Sequence, residues 1–174
     1  MGERLNITNN TKNVILKKEK LQQLFPLFLI FIYIMIASVL LNYSPWSAND
    51  FMLDFMGLFF VVFSFFKILD LRGFQHSFKM YDPLAGAIPV YGWCYPFIEV
   101  ILAFLFLMRV QVEMALGMTI LILGITTIGV VKVLFNKKNI QCACLGSVLK
   151  LPMTRATLIE NIMMMIMAVW ILLV

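Results

Sequence analysis

The order of apolar and polar residues along the chain predicts a set of membrane-spanning helices. Apolar stretches alternate with short polar segments, and they cover residues 25–41, 51–69, 90–108, 114–131 and 156–174. A helix rises about 1.5 Å per residue, so roughly 20 apolar residues cross a hydrocarbon core of about 30 Å. The pattern therefore predicts an all-α integral membrane protein, a bundle of about five transmembrane helices.

The polar segments divide the chain into three parts. Residues 1–20 are predicted to form a basic polar tail, residues 21–49 an additional N-terminal span, and residues 50–174 the main transmembrane bundle. Charged residues, glycine and proline at 71–89 predict a short interfacial helix followed by a turn. Small residues in the fourth span predict close contacts between helices; they are Gly117, Gly124 and Gly129.

Composition agrees with a membrane protein, since 62% of the residues are hydrophobic, 13% are charged and the mean hydropathy is +0.94. The predicted partner is the lipid bilayer, and nothing in the pattern predicts nucleic-acid binding. Thirteen of the fourteen Lys and Arg residues fall on one side of the predicted topology, and Arg109 is the exception. Because cytoplasmic loops are rich in Lys and Arg, the N-terminus and the loop before the last span are predicted to be cytoplasmic, with the C-terminus outside. A bacterial inner membrane is the expected location.

Two cysteines separated by one residue, Cys142 and Cys144, are the main candidates for chemistry. Such a pair can close a small, strained disulfide that is readily reduced, or it can present two thiolates to one soft metal ion. The alternative is that both are ordinary small apolar residues. The third cysteine, Cys94, is predicted to be a buried and inert thiol.

Charged residues inside the predicted spans are the second group of candidates. Glu99 lies near the middle of the third span, where an unpaired carboxylate is costly. Lys67, which lies near Asp70 at the end of the second span, is a possible partner for it. The pair is interpreted either as functional or as a structural ion pair that fixes helix register.

Methionines in the last span offer thioether groups, which are ligands for Cu(I). Met163 and Met167 lie one helical turn apart and would extend a soft-metal site from the cysteines. The plainer interpretation is that methionine fills apolar space in the bundle.

Five segments, in their order along the chain, resemble the MauE/DoxX family of redox-associated membrane proteins over about residues 55–174. They are Phe65-Phe66-Lys67-Ile68-Leu69-Asp70, Gly73-Phe74, Tyr81, Tyr95-Pro96-Phe97-Ile98-Glu99 and Cys142-Ala143-Cys144-Leu145-Gly146. The resemblance implies a four-helix core similar to the DsbB and vitamin K epoxide reductase type. It also implies thiol-disulfide chemistry at Cys142 and Cys144, a thioredoxin-like partner, and a quinone as a possible cofactor.

The segment after the cysteines, Leu151-Pro152-Met153, resembles a subgroup whose members are fused to heavy-metal-associated domains. That likeness implies copper or another soft metal, with a metallochaperone as the partner. The chain departs from the family pattern at Ala143, where glycine is frequent, and at Leu145, where phenylalanine is usual. The additional first span also turns the cysteine loop towards the cytoplasm, where thiols stay reduced, and this favours metal binding or reduction. The conflict disappears if the first apolar stretch does not cross the membrane.

Three functional hypotheses follow, and whether the protein is an enzyme stays open. The leading one is thiol-disulfide redox work with a partner protein, for instance in its maturation. The second is binding or transport of a soft metal ion, and the third is a structural role in a membrane complex.

Overall fold

The computed structural model describes residues 25–135 and 154–174, and in these two ranges the chain forms helices and no strand. The helices are α1 (Phe25–Leu41), α2 (Ala48–Leu69), α3 (Leu71–Tyr81), α4 (Pro83–Ala87), α5 (Pro89–Leu107), α6 (Val112–Phe135) and α7 (Thr154–Leu173). The predicted all-α fold is confirmed.

Three of these helices, α2, α5 and α6, are long and apolar enough to cross a membrane. Two shorter apolar helices, Phe25–Leu41 and Leu158–Leu173, correspond to the first and last predicted spans. The second span starts earlier than predicted because the Ser47 side chain caps it, accepting a hydrogen bond from the Asp50 amide at 3.3 Å. The described helices agree with a membrane protein of the predicted kind.

Helices α2, α5, α6 and α7 form the bundle, in which α2 packs mainly on α5 and α6 mainly on α7. Phenylalanine side chains fill much of its interior. Phe59 and Phe63 of α2 stack at 4.2 Å between ring centroids, and Phe60 stacks on Phe106 of α5 at 6.1 Å. Helix α1 contacts the start of α2, where Phe31 meets Phe55 edge-on at 5.4 Å.

Helices α3 and α4 form a cap over one end of the bundle, which we call the cap end. Helix α6 finishes at this same end, where Gly129 meets Tyr81, and α7, which packs along α6, begins there. The short helix predicted within residues 71–89 is present as α3, but the predicted turn after it forms a second, five-residue helix, α4. Asp82 separates them, and its Oδ1 accepts hydrogen bonds from the amides of Leu84 (2.9 Å) and Ala85 (2.8 Å) to start α4.

The glycines of α6 do not all act as predicted. A Cβ on Gly129 would lie 2.1 Å from the Tyr81 carbonyl oxygen, so this glycine lets the cap approach α6 closely. Among the described residues, no neighbouring atom lies within 4 Å of such a Cβ on Gly117 or Gly124, so these residues do not use the close packing that the two glycines would allow. Sequence spacing shows which residues are small but does not show which face of α6 meets a neighbour.

Candidate functional site: a buried ion pair beside a polar cavity

Lys67 and Glu99 form an ion pair inside the bundle. Lys67 lies in the last turn of α2 and Glu99 near the middle of α5, and both are buried. The lysine ammonium contacts Oε1 of the glutamate. It also lies 5.0 Å from the ring centroid of Tyr95 and 5.6 Å from that of Phe74. Carboxylate and aromatic faces together offset part of the cost of removing the ammonium from water.

The aromatic surroundings of this pair come from both α5 and the cap. Phe74 and Phe78 of α3 are fully buried and stack on each other at 4.9 Å, and the Tyr95 ring lies 4.5 Å from that of Phe78. Tyr95 is one turn before Glu99 on α5, and its side chain also hydrogen-bonds the Glu99 carboxylate. The cap thus covers the ion pair with apolar rings.

Glu99 uses its two carboxylate oxygens unequally. Oε1 contacts Lys67, while Oε2 is buried and has no hydrogen-bond partner among the described residues. A buried polar atom without a partner costs about 1–3 kcal/mol, and more when the group is charged. Such an atom calls for an explanation from its surroundings.

Those surroundings include a cavity of about 30 Å³ between the helices. Its polar lining comes from α2, α3, α5, α6 and α7: Lys67, Tyr81, Tyr95, Glu99, Thr126, Glu160 and Asn161. The remaining lining is mostly phenylalanine, with Leu123 and Met164. Half of the lining residues are polar, and their side chains offer both donors and acceptors, so the space can hold water although much of its wall is apolar.

The polar residues of α6 and α7 are themselves anchored. Thr126 Oγ1 lies 3.0 Å from Asp82 Oδ2 and 3.1 Å from the Ile122 carbonyl, so its proton has two available acceptors. Asn161 donates from Nδ2 to Thr127 Oγ1 at 3.4 Å. These contacts hold the cap on α6, and α6 on α7, around the cavity.

A second polar cluster, which we call the clamp, lies at the opposite end of the bundle. Its members are Asn42, Asp50, Asp54 and Arg109. Arg109 Nη2 lies 2.7 Å from Asp54 Oδ1, and Arg109 Nε lies 3.3 Å from Asp50 Oδ1. Asn42 donates to Asp54 Oδ2 at 2.6 Å, so both oxygens of this buried carboxylate have partners. The clamp ties the end of α1 and the turn after α5 to the start of α2.

The structure brings Lys67 and Glu99 together, the contact that the sequence suggested, although a role for either in function stays a prediction. Asp70 is not part of the pair; it lies between α2 and α3, where its Oδ1 accepts a hydrogen bond from the Gly73 amide at 3.1 Å. Cys142 and Cys144 lie outside the described residues. Cys94 was wrongly predicted to be buried, because it is exposed on the surface of α5.

Met163 and Met167 are half-buried on α7 and pack against the hydrophobic core. Their use as metal ligands stays a prediction. In the described ranges, no group of three or more His, Cys, Asp or Glu side chains is close enough to hold a metal ion.

Glu160 and Asn161 are the cavity residues that sequence reasoning missed. They interrupt the apolar sequence of the last span, and the criterion that singled out Glu99 would also have found Glu160. Tyr95 and Thr126 carry no comparable signal, since tyrosine and threonine are ordinary residues in membrane helices.

The sequence model of one family, described as methylamine utilisation protein MauE, matches residues 46–174. The chain belongs to the MauE family. The match begins just before α2 and includes the bundle, the cap and the segment with Cys142 and Cys144, while α1 lies before it. The predicted likeness to MauE is thereby confirmed; the likeness to DoxX and to proteins fused to heavy-metal-associated domains stays a prediction. No curated protein and no solved structure matched the chain.

Proposed function

We propose that this MauE-family membrane protein performs thiol-disulfide exchange with a partner protein, with Cys142 and Cys144 as the reacting thiols. The observation that supports it is the family match over residues 46–174, which contains both cysteines. The name of that family refers to methylamine utilisation, so maturation of a protein used in that process is the proposed setting. A thioredoxin-like partner fits, because such proteins carry a reactive cysteine pair of their own.

The charge at the cap end supports the proposal, because the sequence segment with both cysteines follows α6, whose last turns lie there. Lys79 of the cap and Lys132 of α6 line a cleft of about 370 Å³ at that end. Positive charge near a cysteine favours the thiolate, which is the form that attacks a disulfide.

The exchange is a transfer of two electrons and two protons in total. A thiolate of the partner attacks a sulfur of the Cys142–Cys144 disulfide, a mixed disulfide forms, and the partner's second thiolate resolves it. The disulfide then resides on the partner and the pair is left as a dithiol. A quinone in the bilayer is the proposed oxidant, which takes up two electrons and two protons as the pair closes again to a disulfide.

Trapping of the mixed disulfide tests this function. Cys144→Ser removes the thiol that could release a mixed disulfide from Cys142, and Cys142→Ser is the complementary variant. We expect one of the two to accumulate a covalent complex with a thioredoxin-like protein that disappears on reduction. Cys94→Ser provides the control because it removes the exposed cysteine of α5, and it should leave trapping unchanged. Absence of any complex, with full activity of the double Cys142→Ser/Cys144→Ser variant in cells, would contradict the proposal and favour a structural subunit.

A soft-metal function is the second candidate, and the distribution of Lys and Arg favours it. On that distribution the cysteine segment is predicted to face the cytoplasm, where thiols stay reduced and free to bind Cu(I). Purified, reduced protein would then bind Cu(I) stoichiometrically, lose it in Cys142→Ser/Cys144→Ser, and bind less tightly in Met163→Leu/Met167→Leu. Exchange-active protein that binds no Cu(I) would eliminate this candidate.

A further inference from the structure

Three carboxylates are buried among the described residues, and one of them has an oxygen atom without a hydrogen-bond partner. Asp54 and Asp82 each use both oxygens, Asp54 in the clamp and Asp82 on the amides of α4 and the Thr126 hydroxyl. Glu99 differs, because Oε2 is buried without a partner among these residues. Only this carboxylate of the three lines the cavity of about 30 Å³.

The size of the cavity indicates which molecule can donate a hydrogen bond to Oε2. One water needs about 10–15 Å³ of space measured for water-sized spheres, together with two or more polar partners. The cavity exceeds that volume, and Glu99, Asn161 and Thr126 supply polar groups from three different helices. A water that donates to Oε2 supplies the hydrogen bond that this oxygen lacks. When Oε2 is protonated, its hydroxyl can donate to the same water, while Lys67 stays in contact with Oε1.

We propose that this cavity is a hydrated proton-transfer site in which Glu99 takes up and releases a proton through water that contacts Asn161 and Glu160. The ligands are water and the proton, bound at Oε2. The path leads from the middle of α5 to the second turn of α7, and therefore towards the cap end of the bundle. The site does not depend on the cysteines, so its failure would leave the proposed thiol function untouched.

The groups facing Glu99 come from each element around it. Lys67 of α2 supplies the positive charge on Oε1, and Tyr95 of α5 supplies a phenol. Tyr81 of α3 and Glu160 of α7 are the other titratable residues of the lining, and α6 contributes the uncharged Thr126. Asp82 before α4 does not line the cavity and is held by its own three hydrogen bonds. Lys67 keeps one oxygen of Glu99 occupied, which directs the exchangeable proton to Oε2.

Infrared difference spectroscopy of the purified protein in lipid nanodiscs, recorded through a pH titration in H₂O and D₂O, tests the site. We expect a carbonyl band of a protonated carboxyl group that appears with falling pH and shifts in D₂O. The band should be lost in Glu99→Gln and retained in Glu113→Gln, the matched control, because Glu113 is exposed in the first turn of α6.

Asn161→Leu removes a side-chain amide from the cavity lining and leaves Glu99 in place. This second variant keeps the test decisive if Glu99→Gln does not fold. The band should remain, but the carboxyl proton should exchange with deuterium about ten times more slowly. A factor of ten in rate corresponds to about 1.4 kcal/mol, which is the size of one lost hydrogen bond. A wild-type protein without a titrating carboxyl band, or a band that survives Glu99→Gln, would overturn the proposal. Unchanged exchange in Asn161→Leu would remove the proposed path.

Discussion

The two ends of the bundle hold their charged side chains in different ways. In the clamp, Arg109 uses three nitrogens: Nε and Nη2 reach Asp50 and Asp54, and Nη1 donates to the Phe106 carbonyl at 2.7 Å. At the cap end, Lys67 and Glu99 rely on their direct contact, on the Tyr95 side chain and on aromatic rings. One carboxylate oxygen stays without a protein partner among the described residues. The clamp is saturated with hydrogen bonds, whereas the ion pair at the cap end borders a cavity.

This difference separates a structural role from a functional one. A saturated cluster has one low-energy arrangement, and it suits the junction of α1, α2 and the turn after α5. Arg109 also adopts a φ of 56°, a backbone conformation that favours glycine, and its contacts offset that strain. An unsaturated carboxylate beside a polar cavity instead keeps room for water or a proton, at some cost in stability.

The largest expected effect is the removal of Glu99 alone. Glu99→Leu leaves the Lys67 ammonium buried without its carboxylate, which we expect to lower the free energy of unfolding by about 3–5 kcal/mol. The double variant Lys67→Met/Glu99→Leu removes both charges and should recover most of that loss. Thermal unfolding in detergent measures both. If the double variant is as unstable as the single one, the ion pair is not the source of the effect.

A smaller loss is expected from opening the clamp. Arg109→Ala leaves Asp54 with Asn42 as its remaining partner, and we expect a loss of about 1–3 kcal/mol, because one oxygen of a mostly buried carboxylate becomes unpaired. Asn42→Leu tests the other oxygen and should also loosen α1 from α2, which limited proteolysis would detect as faster cleavage between them. Neither variant should change the infrared band of Glu99. A change in that band would show that the two ends are not independent.

Glycines of α6 give a third test, confined to the cap end. Gly129→Ala forces a methyl group against the Tyr81 carbonyl and should destabilise the protein by about 1–3 kcal/mol, since the cap must shift. The matched control is Gly124→Ala, where the space is open, and a gain of about 0.5–1 kcal/mol is expected from helix propensity. Equal effects of the two substitutions would contradict the close approach of the cap to α6.

The sequence predicted the helices and the contact between Lys67 and Glu99 for one physical reason. An unpaired charge inside a membrane-spanning helix is costly, so long apolar stretches indicate the spans. For the same reason, two opposite charges in neighbouring spans are expected to pair. The clamp was not predicted, because Asp50, Asp54 and Arg109 lie near helix ends, where charges are common. Their meeting depends on α2 and α5 packing antiparallel, which no local pattern reveals. The cavity depends on Asn161 and Thr126, and their orientation is likewise decided only by packing.

The central claim is that Cys142 and Cys144 change between dithiol and disulfide, and thiol labelling in a Cys94→Ser background tests it most directly. Cells are treated with a membrane-impermeant maleimide before and after permeabilisation, each with and without prior reduction. The account predicts that a fraction of the pair reacts only after reduction, and that permeabilisation is required if the segment is cytoplasmic. Complete labelling without reductant under every growth condition would contradict thiol-disulfide exchange.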